Sequence, residues 1–217
     1  NRALVAGYVD SHEFGSGGAV FVFEYEDEAW LQKAILFPQE NGAHDFFGGA
    51  LALQNSFAVV GARWDDDLGT ETGSAFVYAM QNDGTWVMDQ QLYADDAKLD
   101  DQFGYGVGID GDWLAIGAPR VDDTGDDGGA VYLFERSDSV WIQKAKITPD
   151  DGVSKAAFGS VVSMDNGLLL VGAYSEGGVG NETGAAYIYK LGNGVWSQEA
   201  KFLPPDLGAG DEFGSAV

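Results

Sequence analysis

Carboxylates gather in two short runs of this sequence, Asp65-Asp66-Asp67 with Glu71 and Asp122-Asp123 with Asp126-Asp127. Each run holds a glycine, Gly69 or Gly125, that permits a tight turn. A hard cation such as Ca2+ needs several carboxylate and carbonyl oxygens converging on one point, with a glycine where the loop bends. Asp65, Asp67, Asp122 and Asp126 are therefore the candidate ligands, and Ca2+ is the one ion suggested; no organic cofactor is expected. The corresponding segments elsewhere read differently: Asp10, Ser11, His12 and Glu13 near one end, Glu176, Asn181 and Glu182 near the other. Such variation favours loops that hold a charged face in water over a repeated metal site.

Other chemistry finds little support. His12 and His44 are the only imidazoles. Neither lies in a motif with Ser or Asp, so a Ser-His-Asp triad would have to be assembled from distant segments. No glycine-rich loop leads from a strand into a helix to cradle phosphate. With 35 Asp and Glu in the chain, a pair of neighbouring carboxylates does not single out glycosidase chemistry. With no cysteine, thiolate catalysis, Cys-ligated metals and disulfides are excluded. The chain reads as a non-enzyme. Asn181-Glu182-Thr183 is a glycosylation sequon, meaningful in a secreted eukaryotic protein.

The net charge of −24 repels phosphate backbones and anionic lipid, so neither nucleic acid nor a membrane surface is an expected partner. A 45% hydrophobic content is enough for a packed core, which assigns the acidity to the surface. The longest apolar runs, Phe57–Ala62 and Leu168–Ala173, are far short of the roughly 20 residues of a membrane helix. No initiator Met or leader precedes Asn1, which suits a matured product or an excerpt of something longer.

The elements that carry these loops repeat. Phe-Gly pairs stand at 47, 103, 158 and 213, and Trp30, Trp86, Trp141 and Trp196 keep the same spacing of 56, 55 and 55. Gly7, Gly61, Gly117 and Gly172 follow at intervals of 54, 56 and 55. Within a unit four short strands are expected, in the third copy at 103–109, 113–118, 129–135 and 141–147. Asp110-Gly111, Asn166-Gly167, Asp83-Gly84 and Asn193-Gly194 supply hairpin turns that require positive φ. Third strands such as Val131-Tyr132-Leu133-Phe134 are apolar on both faces, so each sheet must be covered on both sides. Tandem four-stranded antiparallel sheets of this kind stack as the blades of an all-β propeller. The small Gly-Ala pairs would let blades approach closely, and the repeat Trp reads as a cap on each blade's apolar edge. Asp45, Asp101 and Asp211, two residues before a Phe-Gly, read as caps of the loop backbone.

The segments FGGALALQNSFAVVGA, FGYGVGIDGDWLAIGAP and FGSVVSMDNGLLLVGA, each followed by GSAFVY, GAVYLF or GAAYIY, resemble the FG-GAP repeats of integrin α-chain propellers over essentially the whole chain. In the integrin members a calcium loop separates the FG strand from the GAP strand. Here Phe47 to Gly61, Phe103 to Gly117 and Phe158 to Gly172 are each 14 residues apart, which leaves room only for a turn. Those metal sites do not carry over.

The expected domain is a single propeller over 1–217: blade 1 from 1–46 plus 213–217, blade 2 from 47–102, blade 3 from 103–157 and blade 4 from 158–212. In one arrangement the C-terminal strand completes the first blade and closes a four-bladed ring. In the other, the chain is part of a larger propeller, as relatives with this motif commonly have seven blades. The resemblance implies a non-enzymatic extracellular or cell-surface module for binding, scaffolding or adhesion, with a protein or glycan ligand. A lectin-like propeller, or an accessory domain of a secreted hydrolase, is the alternative.

Overall fold

The computed structural model describes residues 1–7, 18–38, 45–177, 182–206 and 208–217. His12, His44, Asp10, Ser11, Glu13 and Asn181 lie outside them. All regular elements among the described residues are strands, and no helix there is long and apolar enough to cross a membrane.

Four antiparallel meanders follow the repeat. Blade 1 has β1 (Arg2–Gly7), β2 (Ala19–Glu26) and β3 (Ala29–Leu36); blade 2 has β4 (Phe47–Gln54), β5 (Phe57–Ala62), β6 (Ser74–Met80) and β7 (Trp86–Leu92). Blade 3 has β8 (Gly106–Asp110), β9 (Trp113–Ala118), β10 (Ala130–Ser137) and β11 (Val140–Ile147). Blade 4 has β12 (Val161–Asp165), β13 (Leu168–Ala173), β14 (Ala185–Gly192) and β15 (Val195–Phe202). Strands hydrogen-bond in sequence order within every sheet. Asn166-Gly167 and Asn193-Gly194 take positive φ as their hairpins require. In blade 3, Asp110 already pairs with Trp113, so the turn falls on Gly111-Asp112, one residue later than expected.

The third strands are the covered ones. Residues 130–134 of β10 are all buried, and three apolar clusters fill the spaces between successive blades. Trp141 is 2% exposed and meets Phe57 of blade 2 edge-on at 5.8 Å, while Trp196 meets Trp113 of blade 3 at 5.7 Å. Trp141 and Trp196 therefore each seal one blade against the one before it, whereas Trp30 is half exposed and packs on Tyr25 of its own blade. A bulge between the third and fourth strands recurs in all four sheets, adding the local twist that lets stacked sheets follow one another.

The Phe-Gly pair is the hinge between blades. Phe103 bridges Gly73 of blade 2, while its ring packs edge-on to Tyr132 of its own blade at 5.4 Å. The following Gly104 sits at φ +90°, open to glycine and strained for any other residue. Its carbonyl oxygen occupies the place where a Cβ on Gly61 would be, and Gly159 does the same to Gly117 and Gly214 to Gly172. The close approach expected of the Gly-Ala pairs is thus a backbone-on-backbone contact, repeated at each junction.

Among the described residues the C-terminal segment is seen only against blade 4. Among the described residues, 213–217 form no strand beside β1, which pairs with β2 alone, and blade 1 has three strands. The Phe213 N–H donates to the Thr183 carbonyl at 2.9 Å and the Gly214 carbonyl covers Gly172, the same hold that Phe103 and Gly104 have on blade 2 before the chain enters blade 3.

Candidate functional site

Second strands end, and first strands begin, at one edge of the stack, so residues from adjacent blades meet there. The residue before each Phe-Gly is left-handed: Phe46 at φ 61°, Gln102 at 57°, Ala157 at 53°. This shared backbone gives each junction the same side-chain positions with different occupants.

Between blades 2 and 3 those positions are self-filled. The Arg63 guanidinium lies 4.0 Å from the Phe46 ring centre, 4.7 Å from Tyr105 and 5.2 Å from Trp64, and Phe46 and Trp64 are 4.8 Å apart. Among the described residues Arg63 has no carboxylate partner; aromatic faces hold it instead. Between blades 3 and 4, Gln102 stands where Phe46 does and Pro119 where Arg63 does. A cleft of about 440 Å³ opens there, walled by Tyr105 and Pro119 of blade 3 and Tyr174 and Ser175 of blade 4.

Two cations, Arg120 and Lys155, and two carboxylates, Asp127 and Glu182, line the cleft. Arg120 is fixed by Asp100 at 2.6 Å and Asp127 at 3.3 Å. Lys155, one blade on from Asp100 in register, has no ion-pair partner among the described residues. Gln102 donates to Glu71 at 2.9 Å, which steadies its amide beside the cleft. Burial, and the neighbouring Tyr105, push the Tyr174 phenol above its ordinary pKa, so it stays a neutral hydroxyl near pH 7.

The acidic loops do other work. Asp65, 3% exposed, accepts from the Ser74 hydroxyl at 2.5 Å, the Asp67 N–H at 2.9 Å and the Gln91 amide at 3.2 Å. Burial raises its pKa, against the lowering effect of Ser74 and the Asp67 N–H. Asp67 accepts from the Tyr93 hydroxyl at 2.8 Å and from Gln91 at 3.3 Å. Asp122 accepts the Asp127 N–H at 2.9 Å, whereas the Asp126 carboxylate faces solvent and its carbonyl takes the Lys155 N–H at 2.6 Å. Asp65 and Asp67 converge on one amide, and Asp122 and Asp126 do not converge. Among the described residues no three His, Asp or Glu side chains gather as metal ligands would.

Fourth-strand residues tie these loops down. Lys146 of β11 joins Asp96 at 2.7 Å and Asp123 at 2.5 Å, over the Tyr132 ring. Lys201 of β15 joins Asp151 and Glu176 over Tyr187. Gln91 of β7 holds the same register without the charge. Asp101 and Asp211 accept the N–H of Lys98 at 2.9 Å and of Gly208 at 2.7 Å, the backbone capping expected of them.

Comparison with family profiles matches the FG-GAP repeat at residues 30–78, 86–134 and 141–189, more than half of the chain. The chain belongs to the FG-GAP repeat family. A search of curated proteins found no match. Each FG-GAP segment runs from the fourth strand of one blade to the third strand of the next, so a single FG-GAP unit spans a junction. The side chains of the filled junction come from the first and second matched segments, and those of the open one from the second and third.

Trp64 and Tyr174, aromatics that do not follow the repeat, stand at these two junctions. Sequence reasoning missed Arg63, Gln102, Arg120 and Lys155. A signal was present in the exchange of Asp100 for Lys155 at one register, a change of sign where the scaffold repeats.

Proposed function

We propose that this FG-GAP chain is a non-enzymatic extracellular or cell-surface binding module, a stack of blades that presents its junction edge and strand 2–3 loops to a partner. One observation carries the reading. The strands, Phe-Gly hinges and junction glycines repeat from blade to blade, while side chains at the junction edge change in size and charge. A constant frame with variable positions at one edge suits recognition, because the frame fixes the geometry and the loops set the specificity. The FG-GAP relationship supports an interaction module, and the extracellular setting agrees with where FG-GAP repeats are typically found.

A photo-crosslinking residue placed at Trp64 or Tyr174 tests this against one placed at Asn55 or Asp112, in hairpins at the opposite ends of the second strands. With cell-surface and culture-medium fractions, a defined adduct is expected from the first pair only. Equal labelling at both ends, or none at the junction edge, would refute the assignment.

A further inference from the structure

We propose that the open junction between blades 3 and 4 binds a carboxylate-bearing saccharide unit, with its acid group at Lys155 and its ring against Tyr105 and Tyr174. This deepens the binding-module reading and rests on it.

The space comes first. The left-handed backbone is the same at Phe46 and Gln102, so the cleft exists because side chains are short and not because the blades diverge. Its volume of about 440 Å³ lies in the range of small-ligand sites, roughly 300–1,000 Å³. The filled junction shows what the position accepts: a planar cation on aromatic faces. The open junction keeps aromatic walls and places its cation at the rim.

Lys155 selects for an anion. Four cations among the described residues lack an ion pair, Arg63, Arg136, Lys155 and Lys190. Arg63 and Arg136 lie over aromatic rings instead. Lys155 is the one of the four that lines this cleft. Two carboxylates also line the cleft, Asp127, which is held by Arg120, and Glu182, yet neither lies within ion-pair distance of the Lys155 ammonium, which is available for an incoming carboxylate. Arg120 adds a second positive group with its geometry already set by Asp100 and Asp127. The overall negative field opposes an anion at long range, but it is screened beyond about 8 Å at physiological salt, so within the cleft Lys155 acts against the local charge of Glu182 while Arg120 and Asp127 offset each other.

A saccharide fits better than an acidic peptide. Tyr105 and Tyr174 offer flat faces for pyranose C–H groups, and their hydroxyls, Ser175 and Gln102 suit a polyol. A peptide would also seek backbone partners, and the rim donors are already engaged: the N–H of Lys155 with Asp126, of Ala157 with Asp127 and of Ser175 with Ala156.

Calorimetric titration of the chain with trigalacturonate, xylotriose and hexaglutamate at 150 mM NaCl tests the proposal. Trigalacturonate is expected to bind at least about tenfold more tightly than either control. Lys155→Asp, which installs the residue of the preceding register, should weaken trigalacturonate at least about tenfold; Lys155→Arg should hold it within about threefold. Gln102→Phe with Pro119→Arg should close the cleft and abolish binding, with an unchanged melt showing that the variant is folded. Equal binding of xylotriose, tighter binding of hexaglutamate, or full affinity in Lys155→Asp would each overturn it. So would the absence of trigalacturonate binding, while junction-edge crosslinks in the same protein would leave the module reading standing.

Discussion

The junctions on either side of blade 3 share one backbone and differ in what occupies it. Between blades 2 and 3, Phe46, Arg63 and Trp64 complete the packing from within. Between blades 3 and 4, Gln102 and Pro119 leave the same place vacant, and Lys155 replaces a carboxylate at its edge. The contrast teaches that in a repeated fold the scaffold and the site are separable. The glycine-to-carbonyl contact fixes the distance between blades, and side chains above it are free to fill that distance or to leave it open.

The largest expected effect tests whether the scaffold is common to both junctions. Gly61→Ala and Gly117→Ala each drive a methyl group into a carbonyl of the next blade, and each should cost about 3 kcal/mol or more by denaturant unfolding. If Gly117→Ala were tolerated and Gly61→Ala were not, the two junctions would not be equivalent.

Next in size is the ion cluster that blade 3 has and blade 2 lacks. Lys146→Gln, which copies Gln91, should lower stability at pH 7 by about 1–2 kcal/mol, since the cluster is only partly exposed. The hydrogen bond from Lys146 holds the Asp123 carboxyl below the usual range. Asp96 is lowered too: burial, the largest single influence, raises it, and its polar neighbours, Lys146 first among them, together outweigh that. A depressed carboxylate contributes stability above its unfolded pKa and loses it as pH falls through the folded one. The gap between wild type and variant should therefore be widest above about pH 4 and shrink below it. Asp65 has the opposite sign, its pKa raised by burial, so the wild-type advantage over Asp65→Asn should widen on acidification, because the variant lacks a carboxylate whose protonation favours the folded state. A gap for Lys146→Gln that stayed constant from pH 7 to pH 3 would remove the cluster from this account.

Smaller still, Arg63→Ala should cost about 1–2 kcal/mol through lost stacking, against less than about 0.5 for Lys155→Ala. Equal losses would mean that the open junction is packed after all. The smallest effect is expected from Ca2+ at millimolar concentration. With Asp65 and Asp67 bonded to Ser74, Tyr93 and Gln91, and Asp122 capping a backbone N–H, the melting temperature should move by less than about 1 °C; a rise of several degrees would restore the acidic loops as ligands.

What could be read from the sequence was what sterics force into one residue type at one spacing. Gly61, Gly117 and Gly172 must be glycine because a carbonyl lies against them, and Phe103 and Trp141 must be large because they seal adjoining blades. The strand boundaries and blade packing followed from these. The cleft could not be found this way, because Gln102, Arg120, Lys155 and Tyr174 come from two blades and are defined by departing from a pattern. The path of residues 213–217 was equally hidden. Strand spacing allows β1 as a neighbour, whereas the structure shows only the start of the segment held, by the Phe213 bond to Thr183 and the Gly214 carbonyl against Gly172, contacts that leave no mark on composition.

The glycine contact also bears on how such a chain can grow. Each unit contributes a glycine to one neighbour and a carbonyl to the other, so a duplicated segment of about 55 residues arrives with both halves of its joint already matched. Copy number can change without any refitting of the seam, and a fresh copy starts with its edge residues under no steric duty. Point changes such as Asp to Lys at one register can then accumulate in a single copy while its siblings keep the array intact.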